Sequence, residues 1–307
     1  MNIVLGIDGS ESSAIAADLV TAASWPEGTR VRLVAAFEGP VDWAGVVPEV
    51  ALLEGSDEEI RAELCDALDE QAARLRARGL VTECVVRRGR AASVLLKAAE
   101  EPLADLIVVG SRGHGVAATA LLGSVSATLA DHAPCPVLVA RRPSVRRIVL
   151  AADGSQSAEA IPQILGAWGA FRGVPADVVS VAPAPLRPSI SISPWLGTHV
   201  PQERPDDAYE HQRAIAEQTA CRLTALGLPS SGRVLVGDAA REIERVAREA
   251  DADLVITGSR GLGQLQRLLL GSVAHHVLLH AHASVLVMRG HVPARVDEPE
   301  RAGALAV

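Results

Sequence analysis

The sequence predicts an α/β protein built from two tandem five-stranded parallel-sheet domains, each doubly wound. Three observations carry that prediction. The chain repeats itself: residues 104–141 align without gaps on 252–289, with 19 of 38 positions identical, and NIVLGIDGS at 2–10 matches RIVLAADGS at 147–155. A period near 147 residues is too long for a solenoid and describes two whole domains. The strand candidates are unbroken Val/Ile/Leu runs, the pattern of a parallel sheet covered on both faces. Those runs alternate with longer segments of helical period.

In the first copy, strands are expected at Asn2–Asp8, Arg30–Phe37, Val81–Arg88, Asp105–Val109 and Pro136–Ala140. Helices are expected at Ser12–Ala23, Asp57–Arg78, Ala91–Glu101 and Ser124–His132. The second copy gives strands at Arg147–Ala152, Asp177–Ala182, Arg233–Val236, Asp253–Thr257 and Val285–Met288. Trp25 and Trp168, near the end of the first helix of each copy, are candidate core; Trp43 and Trp195 fall in the loop after each second strand. Pro183–Pro205 holds six prolines and reads as irregular chain. Expected domains are 1–143 and 144–290, with an aperiodic tail at 291–307.

Composition excludes several functions. A net charge of −8 argues against nucleic acid or an anionic membrane as partner. Seven aromatics are too few for base-stacking platforms. No apolar run is long enough to span a bilayer and no leader pattern opens the sequence, so a cytoplasmic location is expected. Lys97 is the single lysine, and it stands outside any Gly-Lys-Ser/Thr triplet, which excludes a P-loop. Cys65, Cys84, Cys135 and Cys221 are widely spaced and read as buried free thiols. His275, His276, His280 and His282 cluster without a cysteine and read as helix surface rather than a zinc site.

In doubly wound sheets ligands bind outside the carboxyl ends of the strands. After the fourth strand stands Gly110-Ser-Arg-Gly113, then nine residues, then Gly123-Ser124 opening a helix; the second copy repeats this with Gly258-Ser-Arg-Gly261 and Gly271-Ser272. Glycines admit close backbone approach, and a helix N-terminus presents free amides to phosphate. Together they describe a polyphosphate cradle that needs no lysine; glycines that merely end strands and helices are the alternative. The first strands end in Asp8-Gly9-Ser10 and Asp153-Gly154-Ser155, which would bring an acidic group beside the cradle for a ribose hydroxyl or a magnesium-bound water. The serines suit helix caps. Gly89 and Gly237 follow the third strands, where a ligand would pass. A dinucleotide-like Gly113-x-Gly115-x-x-Ala118 follows the wrong strand, and Gln266 breaks it in the second copy.

The G-x2-G-x9-G-S pattern, the Asp-Gly-Ser and the closing Pro-Cys-Pro-Val-Leu-Val resemble the ATP-binding branch of the universal stress protein family, in its tandem form. The resemblance covers about residues 1–290 and implies strand order 3-2-1-4-5, one ATP per domain with Mg2+, and association through the last strand. The two domains of one chain can pair through Pro136–Ala140 and Val285–Met288, leaving helices to make a homodimer. It places Asp8, Gly110, Arg112, Gly113, Gly123, Ser124 and Val125 at site one, and Asp153, Gly258, Arg260, Gly261, Gly271, Ser272 and Val273 at site two. Backbone at Ala36 and Val181 would hold adenine. Ala274 stands where the first copy has Ser126, so site two is expected to lose one hydroxyl contact to phosphate. The implied function is a nucleotide-dependent regulator acting on an unidentified protein partner. Slow ATP hydrolysis, group transfer, and a scaffold with vestigial sites stand as rivals; no His or carboxylate occupies a motif position dedicated to the γ-phosphate.

Overall fold

The computed structural model describes residues 1–38, 56–101, 103–113, 122–184, 205–259 and 270–289. The expected loop at Trp43, the proline-rich loop with Trp195, the Gly115 fingerprint, Arg260, Gly261 and the tail lie outside the described residues. The first half runs β1 (Asn2–Gly6), α1 (Glu11–Ala22), β2 (Arg30–Phe37), α2 (Ser56–Arg76), β3 (Val81–Arg88), α3 (Ala91–Glu100), β4 (Leu106–Gly110), α4 (Ser124–His132) and β5 (Val137–Ala140). The second runs β6 (Ile148–Ala151), α5 (Gln156–Glu159), α6 (Ile161–Trp168), β7 (Ala176–Ala182), α7 (Pro205–Ala225), β8 (Ser230–Val236), α8 (Ala239–Glu249), β9 (Leu254–Gly258), α9 (Ser272–His280) and β10 (Ser284–Met288).

The two halves share one ten-stranded sheet, in the order β3-β2-β1-β4-β5-β10-β9-β6-β7-β8. Within each half the strands are parallel, in the order 3-2-1-4-5. The halves join where β5 meets β10 antiparallel, Val139 opposite Val285, Leu138 opposite Leu286 and Val137 opposite Val287. The last strands expected to be association edges therefore satisfy each other inside one chain. The sheet's outer strands are β3 and β8.

Alternation along each strand feeds two cores, one on each face. Ile3, Leu5, Leu33, Leu106 and Leu138 meet α1 and α2 on one face, continuing into Ile148, Leu150, Leu165 and Leu223 of the second half. Val4, Val34, Ile107 and Val139 meet α3 and α4 on the other, continuing into Val255, Val277 and Val285. Neither core stops at the seam. On the first face Trp25 packs against Trp168 with the rings tilted (centroids 6.4 Å, 59° between planes) and meets Phe171 edge-on (6.4 Å). These repeat-related tryptophans thus pack against each other as well as into their own halves.

Three expectations need correction. The first helix of the second copy is broken into α5 and α6, because Pro162 has no amide to continue the ladder and fits only a first helical turn. The cysteines are all free, but among them only Cys135 is buried; Cys84 and Cys221 are exposed and Cys65 is half-buried. Cys84 is exposed because it stands on an outer strand. The charged α2, whose Glu59 and Glu63 against Arg74 and Arg76 read from the sequence as a solvated face, is also tied to α1, since Arg74 bonds Gln71 and Asp18.

Candidate functional site

The carboxyl ends of β1, β2 and β4 and the start of α4 converge in the first half. Gly9, at φ +79°, turns the chain so that Asp8 Oδ1 accepts the Ser10 amide (3.0 Å) and hydroxyl (2.6 Å). The Ser10 hydroxyl then accepts the Ser13 amide (3.2 Å) and caps α1. Asp8 therefore does what a turn residue does, and its second oxygen does something more. Oδ2 lies 2.5 Å from where a Cβ on Gly113 would stand. The acidic group and the loop after β4 touch, and glycine at 113 makes the contact possible.

The other end of that loop closes on itself. The Gly123 amide donates to the Ser111 carbonyl (2.7 Å), so Gly123 enters α4 directly over the end of β4. No side chain caps α4. The first-turn amides from Ser124 to Ser126 consequently lack intrahelical acceptors and carry the positive end of the helix dipole. Ser124 is exposed and Val125 half-buried. Arg112 is exposed on the same loop, its amide held by the Ser12 hydroxyl (3.1 Å). In β2, Val34 accepts the Ile7 amide and Phe37 accepts the Gly89 amide. The alternation between them turns the backbone of Ala36 toward the space beyond the end of β1.

The second half repeats the plan. Gly154, at φ +75°, lets Asp153 Oδ1 accept the Ser155 amide (2.9 Å), and Ser155 caps α5 through the Ala158 amide (3.4 Å). Gly271 donates to the Ser259 carbonyl (2.8 Å) and opens α9, which again has no side-chain cap; Ser272 is exposed and Val273 half-buried. Val181 faces the space beyond β6 for the reason Ala36 faces that beyond β1, since Ala152 bonds Val179 and Gly237 bonds Ala182. Gly258 ends β9. Arg260 and Gly261 lie outside the described residues.

Some sequence-predicted roles change. Gly110 is kept small by the protein itself: a Cβ there would stand 2.6 Å from the Ser12 carbonyl carbon and oxygen. Gly123 and Gly271 have φ of −79° and −64°, which any residue adopts, so no left-handed turn requires them. Ser126 is buried and donates to the Gly110 carbonyl (2.7 Å), fastening α4 to β4. Its replacement by Ala274 removes that tie. Ser12, Ser111 and Arg141 were not singled out from the sequence. The Ser12 and Ser111 hydroxyls meet at 3.3 Å under the loop, and their repetition as Ser157 and Ser259 was the available signal.

Arg141 follows Ala140, whose carbonyl accepts the Ser111 amide (3.1 Å), so Arg141 and Arg112 continue from paired positions. Burial and then the Arg112 charge pull the Arg141 guanidinium down to about 10. Elsewhere, a cavity of about 300 Å³ bordered by Ile3, Arg30, Arg32, Val81 and Ala98 opens at the amino ends of the strands, away from these groups. His276 packs on His280 (4.4 Å) and meets Glu244 (3.2 Å). Among the described residues no group of three His, Cys, Asp or Glu could hold a metal ion, and no helix is long and apolar enough to cross a membrane.

The profile of the universal stress protein family matches residues 1–141 and 144–289. The chain belongs to the universal stress protein family. A universal stress protein of Mycobacterium tuberculosis is 29% identical over 300 residues, covering 94% of this chain and 96% of that relative. One of Mycobacterium bovis is 31% identical over 198 residues, covering 61% of this chain, and the match spans 62% of that relative's length. A universal stress protein structure from Archaeoglobus fulgidus superposes with a TM-score of 0.64 at 18% identity, covering 94% of this chain and 98% of that one. In this universal stress protein both halves place an aspartate turn and an uncapped helix N-terminus at the same end of the sheet.

Proposed function

We propose that the protein binds ATP, as its Mg2+ complex, at one site in each half, and acts as a nucleotide-dependent regulator in the stress response. The observation that carries the reading is the glycine-led start of α4 and α9, uncapped by any side chain. In the first half that start is joined through the loop after β4 to Gly113, which abuts the Asp8 carboxylate. Ser10, Ser155 and Asp238 cap other helices. The starts at Arg90 and Ala160 are also uncapped, but among the described N-caps only those of α4 and α9 are glycine, which leaves room for phosphate oxygens at the bare amides. Ser124–Ser126 and Ser272–Ala274 would supply amides to phosphate, Arg112 positive charge, and the Ala36 and Val181 backbones the adenine edge. Arg260, Gly113 and Gly261 would close the loops. Magnesium is usually held by one or two carboxylates plus the phosphates themselves, which suits Asp8 and Asp153.

With β5 and β10 paired to each other, a homodimer of whole chains would use helices or the outer strands. The expected setting is the cytoplasm, with an unidentified protein reading the nucleotide state. Isothermal titration of the full chain should give about two ATP per chain. Ser124→Glu puts a carboxylate where phosphate would lie while favouring the helix dipole. It and Ser272→Glu should each leave about one ATP, and the double variant none. Unchanged stoichiometry in the folded double variant would overturn the assignment. Steady phosphate release that both substitutions abolish would favour the hydrolysis reading.

A further inference from the structure

Each of the two helices assigned to nucleotide is held at its far end by the other half of the molecule. Arg141, one residue beyond β5, donates through Nη2 to the Leu278 carbonyl (2.6 Å) and through Nη1 to the Ala283 carbonyl (3.3 Å). Leu278 stands in the last turn of α9, and Ala283 in the turn that leads into β10. Arg289, one residue beyond β10, donates to the Ala130 carbonyl in the last turn of α4. Arg141 and Arg289 are repeat counterparts, as are Ala130 and Leu278, at the same offset of 148. The contacts are therefore reciprocal across the seam.

We propose that Arg141 and Arg289 are positioning residues that work across the seam, Arg141 for the site in the second half and Arg289 for the site in the first. The proposal rests on the nucleotide reading given above. A helix end leaves carbonyls without intrahelical donors, and a cation there complements the negative end of the dipole. α9 and α4 are nine residues each, about 13 Å long. In so short a rod, fastening the last turn fixes where the first turn presents its amides. A phosphate at one end and a guanidinium at the other stabilise the same dipole. The arginine that completes each helix is thus supplied by the neighbouring half, although in sequence Arg141 adjoins site one and stands beside Arg112.

The test is which site weakens. In the full chain carrying Ser124→Glu, ATP reports site two alone; in that carrying Ser272→Glu, it reports site one alone. Arg141→Met should raise the dissociation constant of site two about three- to tenfold and leave site one within about twofold. Arg289→Met should do the reverse. Arg141→Lys, which keeps the charge and a single donor, should fall between Arg141→Met and the wild type. It replaces Arg141→Met in the same comparison if the methionine variant fails to fold. A loss confined to site one, an equal loss at both sites, or no loss at either would overturn the proposal while leaving ATP binding standing. A wild type that binds no ATP would remove the nucleotide reading and the proposal with it.

Discussion

Gly110 and Gly123 belong to one sequence pattern, but only Gly110 is held small by the protein's own backbone, and alanine at each position tells them apart. A Cβ on Gly110 would stand 2.6 Å from the carbonyl carbon and oxygen of Ser12 and 2.8 Å from its hydroxyl. Two of those atoms are backbone in the first turn of α1, which cannot rotate aside, so the helix start must lift off β4. Overpacking a tight interior costs about 1–3 kcal/mol, and contact with backbone puts Gly110→Ala near about 3 kcal/mol. At about 2–4 °C per kcal/mol for a chain of this size, melting should fall by roughly 6–12 °C. A Cβ on Gly123 would stand 3.3 Å from the Ser111 carbonyl oxygen, at φ −79°. Alanine is a poorer N-cap than glycine by about 0.5–1 kcal/mol, and it recovers a similar amount by restricting the unfolded chain. Gly123→Ala should therefore melt within about 4 °C of the wild type. Scanning calorimetry without nucleotide decides the matter. If Gly110→Ala melts within 2 °C of the wild type, or no lower than Gly123→Ala, the close-packing account of this glycine fails.

Ser10→Ala removes both the cap on α1 and the hydroxyl bond to Asp8; it should cost about 1–2 kcal/mol, read from the urea midpoint. A thiol reagent should label Cys84 and Cys221 in the native protein, Cys65 more slowly, and Cys135 only on unfolding, as mass spectrometry after timed quenching would show. Burial also pushes the Cys135 thiol up to about 12 from an ordinary 9. Between those values the unfolded chain releases this proton and the folded chain keeps it, so the unfolded state binds fewer protons and stability falls as pH rises. The slope is at most about 1.4 kcal/mol per pH unit. Cys135→Ala should flatten the fall in urea midpoint between pH 8 and pH 10; an unaltered fall would refute the assignment.

What the sequence made legible was local. β2, β3 and α4 have the expected bounds: Glu38 follows β2, Gly89 follows β3 and Gly123 opens α4. The proximity of Asp8 to the glycine loop followed from topology, since β1 and β4 are neighbours. What was illegible depends on who the neighbour is. Nothing in Gly110 or Gly123 alone says that one faces Ser12 and the other its own loop. Ser126 reads as a phosphate ligand until Gly110 is seen to take its hydroxyl. Arg141 looks like the first residue of a linker, and its partners Leu278 and Ala283 are more than 130 residues away.

The antiparallel seam removes two constraints that bind a pair of separate chains. Two copies that meet through identical edges come apart on dilution, whereas halves joined by one short link stay together at any concentration. Identical copies must also present the same side chain on both sides of their axis. Here Ser284 accepts the amides of Arg141 and Arg142 across the seam, while its counterpart is Pro136. Residues 1–145 carry a net charge of −7 and residues 146–307 a net −1. Covalent fusion has made the partnership permanent and so released each half to become different from the other.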